Sequence, residues 1–424
     1  MAARIAGGSA VCGLIRQIPQ ISRRCWVGRR PTCFSVVPGG TIGWAAVVTH
    51  LAQFYSRQLH DPIVPKFKGF LVKLGVFVPN WIGDVVMATP ALRALRKYVG
   101  DSGTMIGVMR PYVAEVLNGT RWFDESLLYE KRPAQPGWRW SVLRRRLREI
   151  DLDVVVLLTN SLRTGWMARQ SGARQRIGYA GNLRSWMLTT QLYTPRKQWT
   201  KIGLPPIDSY LNLAYVTGCE WEPPTLELST TDADEQAADA TWHQLGLPHP
   251  DQVIVLNSGG AFGGSKHWPA EHFAALARRL AIEDGYSVLV NCGPTEREIA
   301  SRIVKLADFP RIFGLAGLET LPIGLTKALI RRGRMLVTTD SGPRYFGIAF
   351  SRPVVTLFGP TDPHTTCNYY GKETTLTLDL PCQPCWQATC PLGHGRCMSE
   401  LSVDMVYRAT RELLSDEPGV NRVA

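Results

Sequence analysis

The chain has 424 residues, 45% of them hydrophobic and 20% charged, with a formal net charge of +13. That length suits two ordinary domains plus an extension, and a core of such size needs no disulfide staples. No run of about 18 apolar residues occurs, so no spanning helix is indicated. The basic excess does not mark a nucleic-acid module, because most of it sits at one end without a recognised binding motif. Residues 1–68 hold nine Lys and Arg against Asp61 alone. Residues 1–66 therefore read as a basic extension, disordered or loosely attached.

The first convincing strand is the nearly continuous apolar run Phe70 to Val78, as expected for a strand buried on both faces. It breaks at Pro79-Asn80-Trp81-Ile82-Gly83-Asp84, and a helix follows with Val85, Met87, Ala88, Ala91, Leu92 and Leu95 at helical spacing. Pro90 falls near the first turns of that helix, where proline is tolerated. Thr104–Met109 is a strand, Pro111–Leu117 and Ser141–Glu149 are helices, Leu152–Leu158 is a strand, and Pro205–Gly218 holds a helix. The arginines at 139, 144–146 and 148 form either the solvated face of a helix or an anion-binding rim. A Pro-rich, acidic stretch runs from Glu220 to Asp239.

A second series starts with strand Val253–Asn257, glycine-rich loop Ser258–Lys266 and a helix over Pro269–Leu280. Strand Ser287–Asn291, helix Arg297–Ala307, helix Leu321–Arg331 and strand Met335–Thr339 follow, and a further apolar run ends at Phe358. Strands alternating with helices mean parallel, doubly wound sheets. The chain divides into 1–66, a first α/β domain over 67–235, a second over 236–415 and a tail at 416–424. The linker lies between about 222 and 251, and the two domains face a central cleft, a preferred place for ligand sites.

The candidate chemistry lies at strand ends. Asp84 is either a helix N-cap or a carboxylate placed to take a proton from a hydroxyl; the apolar pair Trp81-Ile82 beside it suggests a pocket lining. Gly260, Ala261 and Phe262 precede Lys266 on a loop that resembles a phosphate cradle at a helix start, although it closes with no G-K-[ST]; Lys266 is either the cation of that cradle or a plain surface lysine. Asp340-Ser341-Gly342-Pro343 is a turn or a helix N-terminus offering amides to a diphosphate. Glu296 is a helix-start residue or a ribose contact, and Asp362 suits a turn. Cys382, Cys385, Cys390 and Cys397, with His394 among them, leave zinc, disulfides or reduced structural thiols open, in a segment expected to be remote from the chemistry. Of the thirteen tryptophans most read as core, with a few between 138 and 199 facing a sugar or lipid acceptor.

Five stretches in this order resemble the ADP-heptose:lipopolysaccharide heptosyltransferases of glycosyltransferase family 9, whose fold is the two-domain GT-B type. They are Pro79 to Asp84 with Ala88 to Arg93, Ala261 to Pro269, Thr339 to Gly342, Phe358 to Pro363, and the tail from Cys382-Gln383-Pro384-Cys385 through His394 to Cys397. The resemblance covers about residues 70–413 and is nearest the heptosyltransferase II subtype. It implies an inverting transfer of heptose from ADP-heptose to the heptose/Kdo-lipid A inner core. By carry-over Asp84 is the general base, Lys266 a catalytic lysine at the diphosphate, and Glu296 an acidic ribose contact. Gly83, Gly260, Ala261, Phe262, Asp340, Ser341, Gly342, Pro343 and Tyr345 line the donor. The family usually has His where this chain has Tyr345, and tyrosine cannot become a cation; donor identity follows less directly than fold.

The implied chemistry needs no cofactor and no metal. Its partners are the nucleotide sugar and a lipid-anchored saccharide acceptor, with no nucleic acid. The resemblance places a monomer in the cytoplasm, touching the inner face of the inner membrane, where a basic surface favours anionic lipid.

Overall fold

The uninterrupted apolar runs become the central strands of two parallel sheets. The computed structural model describes residues 72–194, 196–197, 200–201, 204–260 and 262–415; the expected extension (1–66), the tail (416–424) and Ala261 lie outside the described residues. The first sheet contains β1 (Lys73–Phe77), β2 (Thr104–Met109), β3 (Glu125–Leu128), β4 (Val154–Leu157), β5 (Gln175–Tyr179) and β6 (Thr190–Leu192). Its order is β3-β2-β1-β4-β5-β6, with every pair parallel. Helices α1 (Ile82–Met87), α2 (Thr89–Val99), α3 (Pro111–Leu117), α4 (Trp140–Ile150) and α5 (Leu162–Gln170) connect these strands. A short antiparallel hairpin, β7 (Arg196–Lys197) and β8 (Thr200–Lys201), precedes α6 (Pro206–Thr217) and α7 (Asp232–Gln244).

The second sheet repeats the plan. Strands β9 (Val253–Asn257), β10 (Ser287–Asn291), β11 (Ile312–Gly314), β12 (Met335–Thr339), β13 (Val354–Leu357) and β14 (Glu373–Leu376) take the order β11-β10-β9-β12-β13-β14, again all parallel. Its helices are α8 (Ala270–Ile282), α9 (Arg297–Ala307), α10 (Ile323–Arg332), α11 (Gly342–Ala349), α12 (Arg396–Ser399) and α13 (Val403–Ser415). In each sheet the winding direction reverses between the first strand and the fourth, β1 and β4 or β9 and β12. In such sheets ligands bind just beyond the carboxyl ends of the strands at that reversal. The loop after β1 carries Asp84, the loop after β9 carries Lys266, and the loop after β12 carries Asp340.

Two differences from the sequence reading have clear causes. The single helix expected after β1 is two, divided at Ala88. Pro90 has no N–H to give the Val86 carbonyl, and the Thr89 hydroxyl donates to that oxygen instead at 2.8 Å. The acidic stretch after 220 is not all linker. Thr231 and Asp234 form a reciprocal cap, Asp234 N–H on Thr231 Oγ1 at 3.1 Å and Thr231 N–H on Asp234 Oδ2 at 2.9 Å, and the acidic residues then favour a helix start. The expected boundary at 235 thus falls inside α7. Glu235 of that helix pairs with Arg332 of α10 at 2.8 Å, and we propose the divide between the domains at 219–231.

The two sheets share apolar packing. One buried cluster runs from Leu74, Val76 and Leu92 of the first sheet side to Leu336, Phe346 and Val354 of the second. The second sheet has its own core around Trp268, Phe273 and Val290, and the far face of the first sheet packs around Phe77, Leu147 and Leu157. Lys327 of α10 pins the joint: fully buried, it donates to the carbonyls of Val116 (3.1 Å), Asn118 (2.9 Å) and Ser229 (2.9 Å). Two of those oxygens belong to the end of α3, where helix carbonyls lack partners of their own. Burial pulls the Lys327 ammonium down to about 8 against the opposing pull of Asp234 and Glu115. Lys327→Ala leaves three carbonyls unpaired. Urea denaturation is expected to show a loss of about 2–4 kcal/mol, and an unchanged midpoint would reduce this lysine to a space filler.

Candidate active site at the facing switch points

At the first switch point, the chain leaves β1 through Pro79-Asn80 and turns into α1. Arg110 Nε donates to Asn80 Oδ1 at 3.1 Å, and the Tyr112 hydroxyl donates to the Asn80 carbonyl. These bonds fix the loop. Trp81 occupies the N-cap position of α1 and Asp84 its third residue, with no side-chain cap hydrogen bond. The N-cap alternative for Asp84 is therefore not what the fold uses. Its carboxyl is half-buried and, among the described residues, has no side-chain hydrogen bond or ion pair. Burial raises it from the usual carboxylate range to about 6. The hydroxyl of Tyr210 on α6 is pushed well above the ordinary value by burial and then by the Asp84 charge, so the two side chains are neighbours. Trp81 is 61% exposed; it stands on the rim and does not line an enclosed pocket, contrary to expectation.

At the second switch point a buried ionic network replaces the expected free cradle. Lys266 Nζ donates to Asp340 Oδ2 at 2.5 Å and to the Asp340 carbonyl at 3.0 Å. It also lies 4.6 Å from the centre of the Phe262 ring. Lys266 is buried, so the surface-lysine alternative fails. An ammonium has three donors, and two are used here. Thr361 Oγ1 donates to the same Asp340 Oδ2 at 2.8 Å, and Arg344 Nη1 lies 3.5 Å from Oδ1. Burial would raise the Asp340 carboxyl, but Lys266 and Arg344 outweigh it and hold it below the ordinary value. Arg344 in turn grips Glu373 at 2.6 and 3.0 Å and gives 3.0 Å bonds to Thr366 Oγ1 and the Tyr345 hydroxyl.

The loop before α11 is more than a turn. Ser341 is the N-cap residue, and its Oγ receives Asn257 Nδ2 at 3.2 Å. Pro343 has no amide and Arg344 N–H is bonded to Ser341 O at 3.2 Å. The expected row of amides for a diphosphate therefore shrinks, and Gly342 supplies the first-turn donor. A Cβ on Gly342 would come within 2.9 Å of Ile82, and one on Gly83 within 2.9 Å of the Tyr345 ring. Glycine at both positions lets α1 and α11 touch, which brings the two switch points together.

Glu296 caps its turn by accepting Gly293 N–H at 2.8 Å. Its carboxylate also lies over Gly259, where a Cβ would meet it at 2.0–2.3 Å. Both readings of Glu296 thus stay compatible with its place. Gly260 borders Ser341, with 3.1 Å left for a Cβ. Asp362 forms the expected turn by accepting His364 N–H at 2.8 Å. The cysteine segment matches one of its expected alternatives, reduced thiols, and departs from expectation in its place. Cys382, Cys385, Cys390 and Cys397 are free thiols around one small cavity with His394, and among the described residues no group of three or more His, Cys, Asp or Glu is arranged to hold a metal. The segment is not remote: Ser265 gives its hydroxyl to Gln387 O at 2.5 Å and its N–H to Ala388 O at 3.1 Å, and Gln383 Nε2 bonds Gly359 O at 2.6 Å. It buttresses the loop that carries Lys266.

A family model for glycosyltransferase family 9 (heptosyltransferase) matches residues 140–395. The chain belongs to glycosyltransferase family 9. It is 25% identical over 347 residues to lipooligosaccharide heptosyltransferase 2 of Campylobacter jejuni, covering 81% of this chain and 99% of that one. It is 27% identical over 358 residues to lipopolysaccharide heptosyltransferase 2 of Escherichia coli strain K12, covering 82% and 99%. Among solved structures, E. coli ADP-heptose lps heptosyltransferase II aligns with a TM-score of 0.67 at 23% identity, covering 82% of this chain and all of that one. The family 9 glycosyl transferase of Veillonella parvula aligns at 0.69 and 25%, covering 81% and 98%. The fold is GT-B, and the protein is a glycosyltransferase.

Several side-chain partnerships of this candidate site escaped the sequence reading. Arg344 and Glu373 form its buried ion pair from two distant elements. Asn257 and Asn291 end their strands with buried amides, joined by Asn291 Nδ2 on Asn257 Oδ1 at 2.8 Å. Ser258 Oγ and Asn291 Oδ1 are buried without a protein partner. Polar residues closing apolar strands at the carboxyl edge were the available signal.

Asp84 also has a thermodynamic signature. Between about 4 and 6 the unfolded carboxyl is ionised while the folded one still holds its proton, so stability falls as pH rises through that window, and the cost is complete above 6. Asp84→Asn is therefore expected to melt higher than wild type at neutral pH and equally at pH 4. A lower neutral-pH melting point would contradict the burial assigned to this carboxyl.

Proposed function

We propose that this glycosyltransferase moves heptose from ADP-heptose, with inversion, to the heptose/Kdo-lipid A inner core of lipopolysaccharide. The supporting observation is the meeting of the two switch points: α1, which carries the unpaired Asp84 carboxyl, touches α11, whose Arg344 joins the network that holds Lys266. An acceptor hydroxyl attacks the anomeric carbon as the bond to the diphosphate breaks, and Asp84 takes the hydroxyl proton. The remaining donor of Lys266 and the Gly342 amide stabilise charge growing on the leaving diphosphate. Glu296 offers its second carboxylate oxygen to ribose hydroxyls. The partly unsatisfied Asn291 and Ser258 at the strand ends are suited to a polar ligand. On this reading the protein works in the cytoplasm, at the inner face of the inner membrane where a lipid-anchored acceptor resides.

A second reading, a GT-B transferase for another nucleotide sugar, draws on Tyr345. Burial, ahead of the opposing Arg344 charge, pushes its hydroxyl well above the ordinary value, so it remains a neutral hydrogen-bonding group where the family usually has His. A decayed, merely binding homologue is disfavoured by the intact Asp84 and Lys266. A donor screen on purified protein separates these readings. Release of ADP from ADP-heptose in the presence of a core acceptor is expected, and release of UDP or GDP alone selects the second reading. The value of kcat/KM should rise as pH passes through about 6, the Asp84 value. Asp84→Asn should lose roughly two to four decades of turnover with ADP binding retained. Near-normal turnover would remove Asp84 from the mechanism.

A further inference from the structure

The loop after β5 is built to hold apolar side chains in solvent. Asn182 and Leu183 both adopt left-handed backbone, with φ of 50° and 57°, a conformation that costs a leucine appreciable strain. Leu183 is 83% exposed and Trp186 60%. The loop is not slack. Beneath it the buried Arg184 donates from Nε and Nη2 to Tyr179 O at 3.1 and 2.8 Å, from Nη2 to Asn160 Oδ1 at 2.8 Å, and from Nη1 to Thr159 O. Asn182 Nδ2 bonds Asn160 O at 2.6 Å, and Trp186 Nε1 bonds Leu183 O at 3.1 Å. Side by side with this loop, α5 presents Leu162 and Trp166, 45% and 44% exposed, and the Trp166 and Trp186 rings meet edge to face at 6.4 Å.

The charge around this knob is of one sign. Arg169 lies 5.1 Å from the Trp186 ring centre, and Arg163 is exposed on the same helix. Arg176 is close enough to Arg169 that its guanidinium is pulled down, by burial first and then by that neighbour. Among the described residues none of Arg163, Arg169, Arg176 and Arg184 makes an ion pair. By contrast, two of the four arginines of α4 have acidic partners, Arg146 with Glu125 and Arg145 with Glu149, and no exposed large apolar side chain stands among them. Exposed tryptophan and leucine ringed by unpaired arginines are the chemistry of a surface that sits in the headgroup layer of an anionic bilayer.

We infer that Leu162, Trp166, Leu183 and Trp186, with Arg163 and Arg169, form a docking knob for an anionic phospholipid membrane. Its place gives the contact a use. The knob follows β4 and β5, which lie one and two strands from β1, about 5 and 10 Å across the sheet, on the carboxyl edge that also carries Asp84. A bilayer touching the knob holds a lipid-anchored saccharide beside the site. That use rests on the transfer reading above, whereas lipid binding itself does not.

The test is co-sedimentation of the full chain with vesicles of zwitterionic phospholipid, with and without an anionic phospholipid, in the absence of donor and acceptor. Wild type is expected to bind the anionic vesicles. Leu183→Ser with Trp186→Ser should weaken that binding about tenfold or more with an unchanged melting temperature. Arg163→Ala with Arg169→Ala should remove most of its salt sensitivity, and Arg144→Ala with Arg145→Ala should leave binding intact. Should the double loop variant melt early, Trp166→Ser on the neighbouring helix gives the same readout. Three outcomes would overturn the proposal: no binding of wild type to either vesicle, loss of binding only in the α4 variant, or self-association of wild type that the loop variant abolishes. Because no sugar is present, these failures are separate from a failed donor screen.

Discussion

One buried carboxylate organises the second switch point. Asp340 accepts from Lys266 on the loop after β9, from Thr361 on the loop after β13, and lies beside Arg344 on α11. Arg344 extends the bond set to Glu373 on β14. A single charge at the end of β12 therefore ties four elements of one sheet together. Buried charges persist only when paired and hydrogen-bonded, and each member of this group supplies that condition for the next. The geometry of the cation-bearing loop follows from it, because Lys266 is held by Asp340 and its loop is backed by the segment around Gln387 and Ala388.

The second constraint is contact between the domains. Gly83 and Gly342 remove the side chains that would separate α1 from α11. Ile82 and Tyr345 fill the space, and the buried apolar cluster continues through the junction. Lys327 closes the far side by gathering carbonyls from α3 and from the stretch before α7. Asp84 is raised because this junction removes water from it without supplying a cation. A base with a value near 6 is ionised at neutral pH yet more basic than an exposed carboxylate, which suits proton removal from a hydroxyl. The same burial makes Asp84 a cost to folding, a feature common at functional sites.

Much of the fold was legible because the strands are short, apolar and valine-rich. Strands β2, β9, β10 and β12 and helices α3 and α9 have the bounds that the sequence implied. Strands β3, β6 and β14, as in Glu125–Leu128, carry polar residues and lie toward the sheet edges, so no apolar run announced them. Helix α7 was hidden because its acidic first turn resembles linker composition, and its reciprocal cap involves only Thr231 and Asp234. Asp84 and Asp340 stood out as carboxylates just past the ends of apolar runs, and Lys266 as the cation of a glycine-rich loop. Their partnership did not: the Lys266–Asp340 bond spans 74 residues and the Arg344–Glu373 pair spans 29. Such pairings are set by sheet order, which no local pattern records. The nearness of the cysteine segment to the Lys266 loop was invisible for the same reason.

The claim on which the site depends is that Lys266, already held by Asp340, keeps one donor for the leaving diphosphate. Calorimetric titration of ADP into Lys266→Ala, with folding verified by its melting curve, tests that claim most directly. The account predicts ADP binding weaker than wild type by roughly 1.5–3 kcal/mol, the range for a hydrogen bond to a charged group. An ADP affinity equal to wild type in the folded variant would contradict it and leave Lys266 as a structural partner of Asp340 alone.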